Sequence, residues 1–327
     1  MDFQIPIQIP TLPGRINYQD KILLTGSCFT EHIGDKLKEL KFDVLQNPNG
    51  ILFDPHSVAS SLVSYIHNKE YRESDLSFFN ELWQSWHHHS RFSHINVDQC
   101  LRIINESQQI AHKFLKESNW LIITLGSSFS YHLKENSRPV ANCHRAPAQW
   151  FDKHLMTIEE TNAVLDNCIH QLFQFNPTLK IIFTISPVRH IRDGVMENNR
   201  SKARLIEVVH HLVNKFDKLY YFPAYELVID VLRDYRFYDI DLVHPNYAAT
   251  RFVMEQFMKY YVDEQSQLLS GEIQQIVTAR KHRPFQANTL AHKRFLKVHE
   301  EKTKELQARY PFLSLTGELD YFSGKDS

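Results

Sequence analysis

The sequence predicts an α/β fold built on a parallel sheet that is covered by helices on both faces. Short, continuous apolar runs alternate along the chain with segments whose apolar residues recur at helical spacing. Continuous apolar runs are typical of strands buried on both faces, and strand–helix alternation indicates right-handed crossovers between parallel strands. Ligands in such sheets bind at the carboxyl ends of the strands. Residues that directly follow the strands are therefore the first candidates for a functional site.

Five strands and six helices make up this alternation. The strands are predicted at residues 21–24, 42–45, 120–125, 180–185 and 218–222. The helices are predicted at residues 31–40, 56–67, 97–116, 158–175, 199–216 and 247–260. Thr30 is the expected N-cap of the first helix, because its hydroxyl precedes the first helically spaced apolar residue, Ile33.

Size and charge exclude several classes of protein. With 327 residues, of which 43% are hydrophobic, the chain can bury a full core. Its formal net charge of -1 provides no basic field for nucleic acid, so we expect no nucleic-acid partner. The chain has no 18-residue apolar run and no secretion signal at its amino end, which predicts a soluble, cytoplasmic protein without a membrane partner. The oligomeric state does not follow from these features.

Neither the cysteines nor the histidines have the sequence spacing of metal ligands. The four cysteines, Cys28, Cys100, Cys143 and Cys168, are scattered without a CxxC pair, which is typical of reduced thiols. A histidine-rich tract at residues 87–89 lacks an accompanying ligand spacing such as HExxH. We therefore predict no metal site and no cofactor.

A candidate nucleophile lies in the segment KILLTGSCFT at residues 21–30. Gly26 permits a tight exit from the strand, and Ser27 and Cys28 follow at the predicted start of a helix. A strand, turn and helix start in this order expose a side chain and direct free N–H groups at a ligand. Such geometry suits acyl transfer. The alternative role of Ser27 is a turn or capping hydroxyl.

A candidate general base lies near the other end of the chain. Asp241 precedes His244 by three residues, a spacing at which the carboxylate can accept from one ring nitrogen and leave the other free to take a hydroxyl proton. Ser27, Asp241 and His244 are together the residues of a serine-hydrolase triad. Asp241 and His244 could instead cap the helix that begins after Pro245.

A rival mechanism uses Cys28 as the nucleophile and His144 as its base. Arg189, His190 and Arg192 follow a predicted strand and are candidate contacts for an anionic or hydroxyl-rich substrate. An aromatic insert at about residues 71–95 interrupts the alternation, and its aromatic residues predict either a local cluster or a surface that stacks on sugar rings. We predict two domains, 1–262 and a helical C-terminal extension over 263–327.

Several motifs in order resemble the GSCFA family of SGNH (GDSL-like) hydrolases. They are GSCFT at 26–30, NPNG at 47–50 and on to Pro55, TLGS at 124–127, NCH at 142–144, SPV at 186–188, SKA at 201–203, and YFPAYE at 221–226 followed by His244 and Pro245. Thr30 replaces the alanine of the family signature. The resemblance implies a three-layer α/β/α sandwich with a flavodoxin-like sheet, in which Ser27 is the nucleophile and Asp241 and His244 support it.

The resemblance also implies an oxyanion hole. SGNH enzymes build it from the serine N–H, a glycine N–H and an asparagine side chain, and by position Ser27 and Gly50 match the first two donors. Ser128 stands where the asparagine is expected, two residues after Gly126, so Asn142 is the substitute candidate. We count Cys28, Gly126, Ser128 and His144 among the possible substrate contacts.

These features predict a serine hydrolase that cleaves an ester, such as an acyl group on a carbohydrate or small metabolite, through an acyl-enzyme. An acyltransferase would use the same residues. The alternative of a different class is a protein that binds a glycan or an acylated ligand on this scaffold without catalysis, because a serine at position 128 leaves the oxyanion hole incomplete.

Overall fold

The computed structural model describes residues 5–325, and these contain ten strands. The strands are β1 (Lys21–Gly26), β2 (Asp43–Gln46), β3 (Ser77–Phe79), β4 (Leu82–Gln84), β5 (Trp120–Leu125), β6 (Phe129–Leu133), β7 (Pro139–Val140), β8 (Phe151–Leu155), β9 (Lys180–Ile185) and β10 (Leu219–Tyr221). Five of them form one parallel sheet in the order β10-β9-β5-β1-β2. Counted among themselves, these five have the flavodoxin-like order 2-1-3-4-5.

Helices fill the remaining layers. They are α1 (Cys28–Glu39), α2 (Pro55–Ile66), α3 (Val97–Glu117), α4 (Ile158–Phe175), α5 (Val195–Lys215), α6 (Ala224–Glu226), which continues into a π-helix at Leu227–Leu232, α7 (Tyr247–Tyr261), α8 (Glu264–Lys281), α9 (Leu290–Arg309) and α10 (Thr316–Phe322). None of the helices within residues 5–325 has both the length and the apolarity to span a bilayer.

The side chains of β1 alternate between two hydrophobic cores. Ile22 and Leu24 belong to a core that also contains buried residues of α1, α7, α8, α9 and α10. Leu23 points to the opposite core, which is built with α2, α3, α4 and α5. Because successive side chains of a strand face opposite ways, one strand serves both cores. The predicted three-layer α/β/α sandwich with a parallel sheet is therefore confirmed.

The predicted positions of the five parallel strands and of the helices hold, with shifted ends. The largest shift is in α5, which begins at Val195, four residues before its predicted start at residue 199. The first helix begins three residues early, and there the prediction of Thr30 as N-cap is wrong. Ser27 is the N-cap, with extended backbone and an Oγ that accepts the N–H of Phe29 at 3.3 Å. The helix gains nearly one turn, and Thr30 is buried inside it.

Two smaller sheets lie outside the alternation. The insert contains the β3–β4 hairpin, and Tyr71 and Phe92 form a buried cluster with residues of α3. Of the two predictions for the aromatic residues of the insert, the structure therefore shows the local hydrophobic cluster. Phe78 is an exception, because its side chain is exposed. Strands β6, β7 and β8 form an antiparallel sheet that the sequence analysis did not predict.

Helices α8, α9 and α10 form the predicted helical C-terminal region. Buried residues from all three belong to the same core as Ile22 of β1. The predicted boundary at residues 262 and 263 falls between α7 and α8, and the two-domain division itself stays a prediction. Residues 1–4 and 326–327 of the predicted domains lie outside the described range.

Candidate active site

Ser27 lies at the point of the sheet where the strand order reverses. It directly follows β1, and Gly126 directly follows the neighbouring strand β5. Crossovers leave β1 and β5 toward opposite sides of the sheet, which opens a crevice outside the carboxyl ends of these two strands. The position of Ser27 is therefore the one at which open α/β sheets bind ligands.

Close approach between the two strand ends requires glycine at position 26. Gly26 has φ +143°, and a Cβ there would lie 2.2 Å from the main-chain oxygen of Thr124. With glycine, the N–H of Ser27 reaches that same oxygen at 3.1 Å. Ser27 is only 2% exposed, so its side chain is buried between the two strand ends.

Asp241 and His244 form a hydrogen-bonded pair. Oδ2 of Asp241 lies 2.6 Å from Nδ1 of His244, and Oδ1 accepts the N–H groups of Val243 at 2.9 Å and His244 at 3.0 Å. These bonds, those with His244 first, lower the pKa of Asp241 to about 2. The carboxylate is thus ionised and accepts a hydrogen bond from Nδ1 of the imidazole, which leaves Nε2 for another partner.

Neither residue of the pair caps the following helix. The N-cap of α7 is Asn246, whose side-chain oxygen accepts from Ala248 and Ala249. The turn that pairs Asp241 with His244 instead contains Leu242 at φ +60°, a conformation that non-glycine residues seldom adopt. The capping alternative is therefore unnecessary to explain these residues.

The loop after β9 connects this pair to the Ser27 crevice. The N–H of Arg189 donates to the carbonyl of Val243 at 3.2 Å, and its guanidinium lies over the ring of Tyr238 at 4.4 Å. Arg189, predicted as a substrate contact, thus holds the segment that carries His244 against the strand ends. The next residue, His190, lies beside Gly126.

His190, predicted with Arg189 and Arg192 as a possible substrate contact, lies closer to the candidate nucleophile than its place in the sequence indicates. A Cβ built on Gly126 would lie 3.1 Å from Nε2 of His190 and 3.5 Å from Cβ of Ser27. The imidazole packs on the Phe53 ring at 4.9 Å between centroids, and its Nε2 is buried without a hydrogen-bond partner. His190 and Ser27 are 163 residues apart in the sequence, counted as 190 minus 27. Only the fold brings them near the same glycine, so no local sequence pattern could have indicated it.

Two of the three predicted oxyanion donors, the N–H groups of Ser27 and Gly50, already donate to main-chain carbonyls. The N–H of Ser27 donates to Thr124, as described above, and the N–H of Gly50 donates to the carbonyl of Asn47 at 2.7 Å. The side-chain oxygen of Asn142 accepts the N–H of His144 at 2.9 Å. In this structure both main-chain donors are thus committed to carbonyl oxygens.

Ser128 faces away from the crevice, into the protein. It is fully buried, its N–H donates to Oγ of Ser201 at 2.7 Å, and its hydroxyl donates to the carbonyl of Ser201 at 3.1 Å. Ser127 makes a third contact with the Ser201 hydroxyl, at 3.1 Å. The serine at the expected asparagine position therefore attaches α5 to the end of β5.

Lys202, next to Ser201, lies beneath the crevice. Its side chain is almost fully buried, and Nζ donates to the carbonyls of Gly126 and Ser186 at 2.6 Å each. Burial lowers the pKa of Lys202 to about 7. One side chain therefore ties the carboxyl ends of β5 and β9 together, directly below the loop that carries His190.

The thiol mechanism receives little support from the electrostatics. Burial raises the pKa of Cys28, which keeps the thiol protonated. Nε2 of His144, its predicted base, lies 2.8 Å from the carbonyl oxygen of Ser85, and its Nδ1 is buried without a partner. Burial also lowers the pKa of His144. Ser27 therefore remains the better candidate nucleophile.

Comparison with models of known protein families confirms the resemblance to the GSCFA family. The model of the GSCFA family matches residues 21–257, and that of the GSCFA C-terminal domain matches residues 273–325. No curated protein matches the chain.

Two solved structures are similar at low sequence identity. One is a family 3 carbohydrate esterase of Clostridium thermocellum, with a TM-score of 0.36, 11% identity, and coverage of 74% of this chain and 94% of that one. The other is the acetyl xylan esterase Est2A of the rumen bacterium Butyrivibrio proteoclasticus, with a TM-score of 0.36, 11% identity, and coverage of 74% of this chain and 63% of that one.

Proposed function

Because the chain belongs to the GSCFA family, we propose that it is an SGNH-type serine hydrolase that cleaves esters through an acyl-enzyme on Ser27. The observation that carries this proposal is the 2.6 Å contact between Asp241 and His244. The Arg189–Val243 hydrogen bond supports it, because that bond fixes the pair at the same end of the sheet as Ser27.

The chemistry needs each of these groups. Ser27 Oγ attacks the acyl carbon while His244 takes its proton, and Asp241 stabilises the imidazolium that forms. The proton on His244 then passes to the departing alcohol, and water repeats the sequence to release the acid. Asp241 keeps its negative charge throughout, in accord with its low pKa.

Unequal exposure across the site supports a short acyl group on a large alcohol. Ser27 is 2% exposed, and Phe53 and His190 flank the neighbouring Gly126, so there is little free space around the nucleophile. The side chains of Asp241 and His244 are 46% and 47% exposed, so the side that receives the leaving alcohol is open. Of the predicted substrates, an acetylated carbohydrate has this shape.

The test is intact-protein mass spectrometry after treatment with a fluorophosphonate probe. We expect one adduct on the wild type, none on Ser27→Ala, and slow labelling of His244→Ala. Cys28→Ala is the matched control, because it changes the adjacent residue, and it should label as the wild type does. An adduct that survives Ser27→Ala but disappears in Cys28→Ala would establish the thiol mechanism instead.

The committed N–H groups of Ser27 and Gly50 favour a second candidate, a protein that binds an acylated ligand without turning it over. A correctly folded wild type that acquires no adduct, hydrolyses no p-nitrophenyl acetate and still binds an acetylated sugar would support this candidate and contradict the hydrolase. If hydrolysis is observed, adding alcohol acceptors and analysing the products distinguishes acyl transfer from hydrolysis.

A further inference from the structure

An ester hydrolase must stabilise the oxyanion that forms when Ser27 attacks. Hydrogen-bond donors aimed at that oxygen supply the stabilisation, and removal of one typically lowers kcat by about 10²–10³-fold. Here the Ser27 and Gly50 N–H groups donate to main-chain carbonyls, and Ser128 at the expected asparagine position faces α5. A further donor beside Ser27 would complete the site.

His190 is held in position to be that donor. Its main-chain N–H donates to the side-chain oxygen of Asn198 at 2.8 Å, and Asn198 is itself buried in α5. Its ring packs on Phe53, and the preceding Arg189 is bonded to Val243. Three elements thus fix this imidazole from separate directions, which is the pre-organisation that an oxyanion donor requires.

Nε2 of His190, the ring nitrogen beside Gly126, has no hydrogen-bond partner within the described part of the protein. This nitrogen is buried. A Cβ built on Gly126 would lie 3.1 Å from it and 3.5 Å from Cβ of Ser27, so both residues border the space beside Gly126. A buried polar atom without a partner is unfavourable, and in native proteins it calls for a specific explanation such as a missing ligand. The acyl oxygen of an ester bound at Ser27 would satisfy it.

We propose that His190 is a catalytic residue whose Nε2–H donates a hydrogen bond to the acyl oxygen of the substrate, in place of the asparagine of other SGNH enzymes. The proposal rests on the proposed serine mechanism. When the Ser27 Oγ–carbon bond forms, the carbonyl π electrons move to the acyl oxygen and the hydroxyl proton goes to His244. His190 keeps its own proton. When the carbonyl reforms, the bond to the leaving alcohol breaks and His244 returns its proton to that alcohol.

The two histidines differ in their surroundings, which assigns them different roles. His244 contacts the carboxylate of Asp241, which orients its ring to accept the proton of Ser27. Burial, together with the nearby charges of Lys202 and His244, lowers the pKa of His190 to about 4. His190 is therefore neutral at pH 7, and a neutral imidazole donates a hydrogen bond without placing a second positive charge beside His244.

The test measures kcat and KM for p-nitrophenyl acetate in three variants of His190. In His190→Gln the amide NH₂ reaches about as far as Nε2, whereas in His190→Asn it falls one methylene short, and His190→Leu has no donor. We expect kcat of the Asn and Leu variants to fall by about 10²–10³-fold with KM within about threefold of wild type, and the Gln variant to recover at least about tenfold. Thermal melting of each variant reports whether it is folded.

His88→Gln is the matched control. His88 is a fully buried histidine whose Nε2 likewise lacks a partner, but it packs on Tyr71 and Phe92 in the insert. We expect its kcat to equal that of the wild type.

Three results would each contradict a different claim: the role of His190, its function as a hydrogen-bond donor, or the serine mechanism itself. Wild-type kcat in folded His190→Asn, with no turnover in Ser27→Ala, would overturn the role of His190 and leave the hydrolase in place. A folded Gln variant as slow as the Leu variant would overturn the donor role in favour of a packing role. Turnover that survives Ser27→Ala, or no turnover in the wild type, would overturn the proposed function and the role of His190 with it.

Discussion

The carboxylate of Asp241 binds His244 twice, through the ring Nδ1 at 2.6 Å and through the main-chain N–H at 3.0 Å. The second bond fixes the carboxylate relative to the backbone that carries the imidazole, so ring and acceptor are oriented together. The native pKa of about 2 lies below the unfolded value of 3.8, so the stabilisation is present above about pH 4 and is lost as the pH falls through about 2. The pair is therefore intact wherever ester hydrolysis is normally assayed.

Asp241→Asn should lower kcat for ester hydrolysis by about 10²–10⁴-fold without unfolding the protein, because the amide lacks the charge that stabilises an imidazolium. Steady-state kinetics at pH 7 measure this effect. Asp239→Asn, an exposed carboxylate two residues earlier, is the matched control and should retain wild-type kcat. Equal kcat values in the two variants would contradict the role of Asp241.

Gly26→Ala should destabilise the fold by at least about 3 kcal/mol or prevent folding, because its Cβ would lie 2.2 Å from the Thr124 oxygen. Urea unfolding followed by circular dichroism measures the change. Gly271→Ala is the control, since nothing lies within 4 Å of a Cβ at that position in α8, and alanine there should stabilise by about 0.5–1 kcal/mol. A Gly26→Ala protein as stable as wild type would show that the strand ends are not in close contact.

Lys202 should make stability depend on pH. Burial lowers its pKa from 10.5 to about 7, so between these values unfolding takes up a proton and stability rises with pH. Lys202→Met lacks this proton uptake. The free energy of unfolding of wild type minus that of the variant should therefore increase by up to about 1.4 kcal/mol per pH unit between pH 7 and 9. A difference that is constant over this range would show that Lys202 is charged in the native protein.

Asp54→Asn should stabilise the protein at neutral pH. Asp54 is the N-cap of α2, with Oδ1 accepting the N–H of Ser57 at 2.9 Å, and burial raises its pKa from 3.8 to about 6. The ionised carboxylate is therefore unfavourable in the native state above about pH 6, whereas asparagine caps equally well without charge.

The free energy of unfolding of Asp54→Asn minus that of the wild type should be larger at pH 7 than at pH 4 by roughly 2 kcal/mol. Urea unfolding at the two pH values measures this gain. The same effect at both would exclude an ionised, buried Asp54 as its cause.

The parallel sheet was predictable because its strands carry their own signal. Residues 120–125 and 180–185 are continuous apolar runs, and the structure has strands at these same residues. The β6–β8 sheet gave no such signal, because Phe129–Leu133 is mostly half-exposed and contains polar residues. Its pairing with Phe151–Leu155 depends on contacts across a long loop rather than on local periodicity.

The candidate site was predictable only where its residues lie close together in sequence. Asp241 and His244 are three residues apart, so a turn pairs them directly. Thr30 and Ser27 are both plausible caps, and the close approach of Gly26 to Thr124, which local spacing does not encode, decides for Ser27. His190 reaches the site only through the folding of β9 beside β5.

The core that contains Ile22 of the first strand also contains Leu306, Leu313 and Phe322 of the last two helices and the loop between them. During synthesis the ribosome releases β1 some 300 residues before Phe322, counted as 322 minus 22. One face of the sheet therefore lacks part of its apolar cover until residues as far as Phe322 have been translated. The native core can close only after that point, which exposes the nascent chain to aggregation for that interval.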